Sequence, residues 1–374
     1  MQRALLLGFS VSAAGALPVF GQTCDFDNPD VASRIAVCEQ AYQSAPDNAA
    51  AAYALSVKGH AQRVTGDLDG ASQTLAAAVN LTPEDGWLWV QLGLVRFNQN
   101  DVPGSIAYYS AAIALSDDGN AYANRADSWW FLRVAQRCSD DADQALRIQP
   151  DYPFANDVKG RCLLDLGQPE QALNYFDTAI RQDAGFQRAY FDKITALMML
   201  ERYQEVVQLA DYVLQPGIIQ QSVPWLEEGI RAQRLLAFSF YGAANMVSAE
   251  ADALLNAYPG NLAAINVKAM ALVTAGRFAE ADAAAGPMRQ NTDGRDMEGA
   301  YYDTLAQIDI ALGRLDAGYA NFQAALKRSP GLSRVYAKKL SELGFLPLSN
   351  SPEGVLTALR RCIDVRKNDC AVAG

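Results

Sequence analysis

His60 is the one imidazole in a chain of 374 residues. A Ser-His-Asp or Cys-His relay would have to run through that single ring, and a multi-histidine metal site cannot be assembled at all. The phosphate-cradling Gly-x-x-x-x-Gly-Lys loop, the Gly-x-Ser-x-Gly elbow and the His-Glu-x-x-His helix are absent from the sequence. Carboxylates crowd together in "LSDDGN" and "CSDDAD", and paired acids can perform general acid–base work. Nothing in their spacing, however, distinguishes a catalytic pair from a solvated helix face. The expectation is a binding protein without a cofactor; an enzyme working through carboxylates is the rival reading.

Six cysteines form the second set of reactive side chains: Cys24, Cys38, Cys138, Cys162, Cys362 and Cys370. No Cys-x-x-Cys occurs, which leaves redox-active and zinc readings with little support. An even count in an exported chain suggests disulfides, and nearness in sequence favours Cys24 with Cys38, Cys138 with Cys162 and Cys362 with Cys370. Other connectivities, or buried free thiols, stay open at this level.

Export is suggested by "MQRALLLGFSVSAAGALPVFGQ", in which Arg3 precedes an apolar run that ends at Pro18 with small residues beyond. That layout fits a secretory signal over residues 1–21, and the run is short for a bilayer span. No later stretch is long and apolar enough to cross a membrane, so the expected location is the periplasm or outside the cell. The net charge of −11, from 42 acidic and 31 basic residues, would repel a phosphate backbone and argues against nucleic acid as a partner.

The elements that hold these residues repeat. "AYALSVKGHAQRVTGDLDGASQTLAAAVNLTP", "DGWLWVQLGLVRFNQNDVPGSIAYYSAAIALSDD" and "LLDLGQPEQALNYFDTAIRQD" align at a period of about 34 residues. The aligned positions include Gly59, Gly66, Ala71 and Ala78; Leu92, Gly93, Tyr109 and Ala112; and Gly160, Gly167, Ala172, Phe176 and Ala179. Fainter copies follow, and "GAYYDTLAQIDIALGRLDAGYANFQAALKRSP" is again clear. Two antiparallel helices of about fourteen residues approach closely only where a side chain is nearly absent, which explains Gly59, Ala71, Gly160 and Ala172. Gly66, Gly167, Gly242, Gly276 and Gly313 supply the turn, and Pro83, Pro150, Pro259 and Pro330 separate one pair from the next.

These residues resemble the tetratricopeptide repeat from about residue 46 to about residue 331. The resemblance implies an all-α, right-handed α-solenoid of about eight helix pairs over residues 46–331, with capping helices in 22–45 and 332–374. A longer step near 215–228 is either a simple longer loop or a bend in the array. By the same resemblance, the second, fifth, ninth and twelfth positions of each first helix line a binding groove. Here they include Tyr53, His60, Arg63, Trp87, Phe97, Trp130, Phe154, Arg161 and Phe191, with Val90, Leu94, Asp127, Asp157, Arg188 and Met198 among them. Aromatic and arginine side chains dominate binding hot spots, so a peptide or protein partner is expected there. The carboxylate clamp of chaperone-binding members is not reproduced, because Ser56 and His60 stand where it places Lys and Asn. The segment "KKLSELGFLPLSNSPEGVLTALRRCI" is also similar to a small peptidoglycan-binding module, which adds glycan strands as an alternative partner. The module's Asp-Gly loop is missing.

Overall fold

The computed structural model describes residues 23–374 apart from 219–223, 241, 243, 292–297, 346, 348, 350, 367–369 and 371–374. The expected signal segment 1–21 and the centre of the longer step lie outside the described residues. Among those residues there is no strand. The helices divide between two compact units, Met1–Gln168 and Pro169–Gly374.

In the first unit α1 (Val31–Gln43) precedes α2 (Asn48–Val64), α3 (Leu68–Leu81), α4 (Gly86–Asn98), α5 (Val102–Leu115), α6 (Gly119–Phe131), α7 (Ala135–Ile148) and α8 (Pro153–Asp165). The second unit holds α9 (Pro169–Gln182), α10 (Gln187–Met199), α11 (Tyr203–Val213), α12 (Pro224–Ser239), α13 (Ala244–Ala257), α14 (Leu262–Thr274), α15 (Phe278–Ala284), α16 (Gly286–Gln290), α17 (Gly299–Ala311), α18 (Leu315–Arg328), α19 (Pro330–Glu342) and α20 (Pro352–Arg366).

Local chemistry starts these helices. Asp30, Asp47, Asp67, Asp85, Asp101 and Asp118 stand before α1 to α6 in turn, each accepting from a backbone N–H of the first turn. An aspartate cap is worth about 1 kcal/mol and also favours the positive end of the helix dipole. Part of the acidic excess is therefore capping, a pattern the sequence reading passed over. At the other end of α2 the chain leaves through Gly66 at φ 87°, and the equivalent turn later uses Gly167, Gly276 and Gly313. Asn100, Arg133 and Glu201 hold the same left-handed conformation at that position in other copies, at φ 63°, 59° and 57°. Gly242 was expected to join this series and does not. It has no positive φ, and its smallness instead admits Phe238, whose carbonyl oxygen would lie 2.7 Å from an added Cβ.

Packing proceeds by small shared cores. Leu55, Leu75, Leu88, Leu92 and Val95 form one across α2, α3 and α4. Val90, Tyr109, Ala112 and Ala121 carry it on to α6. Ala126, Cys138, Ala142, Val158 and Cys162 extend it to α8. Close approach rests on the small residues: a Cβ on Gly59 would lie 2.6 Å from Leu75 Cγ, and one on Gly93 would lie 2.3 Å from Tyr109 Cε1. In the second unit the expected single helix after Gly276 is instead α15 and α16. Pro287 in the first turn of α16 has no N–H to continue the ladder. The last two helices bury Tyr336, Leu340, Val355, Leu359 and Cys362 against Phe322 and Leu326 of α18. Ser351 accepts from the Gly354 amide at 3.2 Å, starting α20 where the Ser-Pro-Glu sequence implied.

The cysteines are joined as sequence neighbours: Cys24–Cys38, Cys138–Cys162 and Cys362–Cys370, with Cα separations of 4.8, 5.7 and 5.8 Å. The second bridge ties α7 to α8.

Candidate functional site

The first helices of unit 1 carry the groove positions that the repeat resemblance implies. On α4 the helical spacing puts Trp87, Val90, Gln91 and Leu94 on the same side, and Asn120 and Asn124 of α6 stand beside them with Tyr152 and Phe154. Together these residues line a hollow of about 300 Å³. Trp87 is set by its position at the start of α4, where its N–H is held by the Asp85 cap at 3.0 Å. Gln91 is 6% exposed, and its buried Oε1 has no hydrogen-bond partner among the described residues. An unmatched buried acceptor costs roughly 1–3 kcal/mol, so a donor arriving there would be favoured. The floor is thus apolar and aromatic, with amide groups at its rim.

The charge of Arg161 in this face is neutralised internally. Arg161 is 1% exposed. It donates to Asp127 at 2.7 Å and to Asp157 at 3.1 Å, and its guanidinium sits 4.6 Å from the centre of the Trp130 ring. The repeat resemblance counts Arg161 among the groove positions; the structure buries it between two carboxylates and an indole. Trp130 is drawn into the same cluster and also receives Arg133 at 5.2 Å. Phe97 meets Phe131 edge-on at 4.9 Å, and Phe131 is exposed. Phe131 escaped the sequence reading although it stands one repeat after Phe97, a spacing that could have found it.

At the amino-terminal end of the face, Tyr53, His60 and Trp87 converge on a residue that sequence reasoning did not select. The ring of Phe26 lies edge-on to all three, at centroid distances of 6.1, 5.4 and 5.4 Å. Burial and the positive charges of Arg63 and Arg34 lower the His60 pKa, keeping that ring neutral near pH 7. Burial, with the carboxylates of Asp25 and Asp27, raises that of Tyr53. Arg63 is half-buried, and its Nε has no partner among the described residues. The only signal for Phe26 in the sequence was its place within the Cys24–Cys38 loop.

Phe191 belongs to the second unit, where it meets Trp225 edge-on at 6.1 Å and packs over Gly229. Arg188 pairs with Asp192 at 3.5 Å on the same helix. A separate hollow of about 580 Å³ in this unit is lined by Leu236, Phe240, Val247, Asn266 and Met270. Among the described residues no cluster of His, Cys, Asp or Glu is placed to hold a metal ion, and no helix is long and apolar enough to cross a membrane.

Comparison with known proteins bears on the fold. A model described as tetratricopeptide repeat matches residues 57–120 and 158–217. The curated Protein FlbA of Caulobacter vibrioides is 24% identical over 186 residues, a match covering 47% of this chain and 26% of that protein. The chain thus spans about a quarter of the length of the relative it matches. The structure reported in a functional characterisation of Pseudomonas aeruginosa PilF superposes with a TM-score of 0.50 at 16% identity, covering 58% of this chain and 96% of the other. YrrB, described as a TPR protein with an unusual peptide-binding site, gives a TM-score of 0.42 at 17% identity over 53% of this chain and 98% of its own.

Proposed function

We propose that this chain, a tetratricopeptide-repeat protein, is an exported scaffold that binds an extended segment of a partner protein along the first-helix face of its amino-terminal unit. The observation that carries the reading is Gln91 Oε1, a buried acceptor without a hydrogen-bond partner among the described residues, beside an apolar hollow between Trp87, Leu94 and Phe154. A bound peptide would donate a backbone N–H to Gln91, find further amide partners in Asn120 and Asn124, and bury an apolar side chain against Trp87 and Phe154. Because Arg161 is neutralised internally, this part of the face selects apolar side chains over acidic ones. The work done is presentation of a preformed surface, with no bond made or broken.

The three disulfides support export, because such bonds persist in oxidising compartments. Amino-terminal sequencing of protein recovered from the periplasm should begin near Gln22; a start at Met1 would overturn export. The binding claim is tested by selecting peptides from a random library on the full-length protein, then measuring them by calorimetry against Trp87→Ala and Gln91→Ala. Selected peptides should lose roughly tenfold in affinity for each variant, the scale of one lost anchor. Equal affinity for all three proteins would refute the site.

A further inference from the structure

We infer that the Tyr53, His60 and Trp87 side chains form a socket for an aromatic residue flanked by carboxylates in the partner, and that Phe26 of the chain itself fills this socket in the unliganded protein. The inference rests on the proposed groove and names the chemistry recognised at its amino-terminal end.

Phe26 is not a core residue. It remains 37% exposed, yet three aromatic rings from two first helices surround it, each presenting a T-shaped contact. Edge-on pairs of this kind add to what area burial alone supplies, enough to seat a ring without locking it. The segment carrying Phe26 is held from outside the socket. Cys24 is bonded to Cys38 of α1. Asn28 donates its backbone N–H to Asp25 Oδ1 at 2.8 Å, and Arg34 Nη1 lies 3.5 Å from the Phe26 carbonyl oxygen. The ring can therefore leave the socket while its loop stays attached. Beside it opens a hollow of about 430 Å³ bordered by Phe26, Ala52, Tyr53, Ser56, Asp85 and Trp87.

The flanking charge follows from what surrounds the socket. Phe26 sits between Asp25 and Asp27, and both carboxylates act on Tyr53. The cations on this side are Arg34 and Arg63, and two of their neighbouring polar atoms, Arg63 Nε and His60 Nδ1, are buried without hydrogen-bond partners among the described residues. The nearby Asp85 is occupied in capping α4. An incoming Asp-aromatic-Asp sequence would set its ring against Tyr53, His60 and Trp87 as Phe26 does, with its carboxylates towards the cations Arg34 and Arg63. The resident ring then acts as a tethered competitor, which weakens the apparent affinity for the partner by the fraction of socket it occupies.

The test uses the full chain and the acetylated, amidated peptide Ser-Asp-Phe-Asp-Asn carrying a fluorophore, with Ser-Asp-Ala-Asp-Asn as its control. Phe26→Ala should bind the phenylalanine peptide about tenfold more tightly than the wild type, fail to bind the alanine peptide, and lose the gain when Trp87→Ala is added. His60 is the only histidine, so its ring resonances report the socket directly. They should move in Phe26→Ala and return towards the wild-type position as the peptide is added. Equal affinity of wild type and Phe26→Ala, or binding of the alanine peptide as well, would overturn the socket. Should Phe26→Ala fail to fold, as judged by circular dichroism and by mapping of Cys24–Cys38, the wild-type His60 resonances decide. They shift with excess phenylalanine peptide and not with the control if the socket exchanges, and stay fixed with both if it does not. A failed socket with library peptides still dependent on Gln91 leaves the groove standing, and the converse result removes only the groove.

Discussion

Arg161 of α8 donates to Asp127 of α6 across 2.7 Å, and the two residues stand 34 apart, one repeat step. The same guanidinium covers Trp130 at 4.6 Å and reaches Asp157 within its own helix. Two first helices of successive repeats are thus joined by a buried ionic cluster.

Arg161→Ala should destabilise the amino-terminal unit strongly, because it strands Asp127 and Asp157 in a dry interface. Removing one partner of a buried pair costs about 3–5 kcal/mol. Urea unfolding followed by tryptophan fluorescence should show the loss, and Arg161→Lys should recover little of it because an ammonium cannot serve two carboxylates and an indole face together. An unchanged midpoint in Arg161→Ala would refute this account of the cluster.

Asp303 makes the second unit sensitive to pH. Its carboxyl accepts from Tyr336 at 2.7 Å and from Gln307 at 2.8 Å, but burial outweighs these bonds and pushes its pKa up to about 6. The folded protein therefore holds the proton more tightly than the unfolded chain. Its share of stability is complete below the unfolded pKa of about 3.8 and is lost as pH rises through 6. Asp303→Asn should be more stable than the wild type at pH 7, and the difference should vanish towards pH 4. Paired thermal melts at the two pH values measure it, and a constant difference would contradict the assignment.

Glu201 occupies the left-handed turn position that Gly167 fills one repeat earlier, at φ 57° against 72°. A side chain there strains the backbone by about 1–2 kcal/mol, partly offset by the greater freedom that glycine would lose on folding. Glu201→Gly should raise stability by about 0.5–1 kcal/mol, and Gly167→Ala should lower it by a similar amount. Denaturant midpoints of the two variants should move in opposite directions.

The Cys138–Cys162 bridge closes a loop of 24 residues between α7 and α8. Replacing both cysteines by alanine should cost about 3 kcal/mol, chiefly by freeing the unfolded chain. Alkylation of the native protein without reductant should label none of the six cysteines, and labelling of Cys138 or Cys162 would show that the bridge is open.

Helix pairing was legible because its causes are local and recur. Gly59 and Gly93 mark the crossings with Leu75 and Tyr109, Gly66 and Gly167 mark turns, and Pro352 after Ser351 marks a helix start. The break between α15 and α16 is marked in the sequence by Gly286-Pro287, which the alignment of repeat positions does not use. Trp87 and Phe154 were selected by the repeat resemblance, and the structure places both at one hollow.

What register could not give is which face residues meet each other. Arg161 and Trp130 occupy groove positions by count, but the crossing of α6 and α8 turns them towards one another and buries the charge. Phe26 has no repeat position at all, and it reaches Tyr53, His60 and Trp87 only because Cys24–Cys38 folds its segment back over α2. Sequence by itself determined the helices, their turns and the small residues at their crossings, since each follows from backbone sterics within a few residues. The tertiary structure decided which polar and aromatic groups are free to meet a ligand, because that depends on side chains converging from helices a full repeat apart.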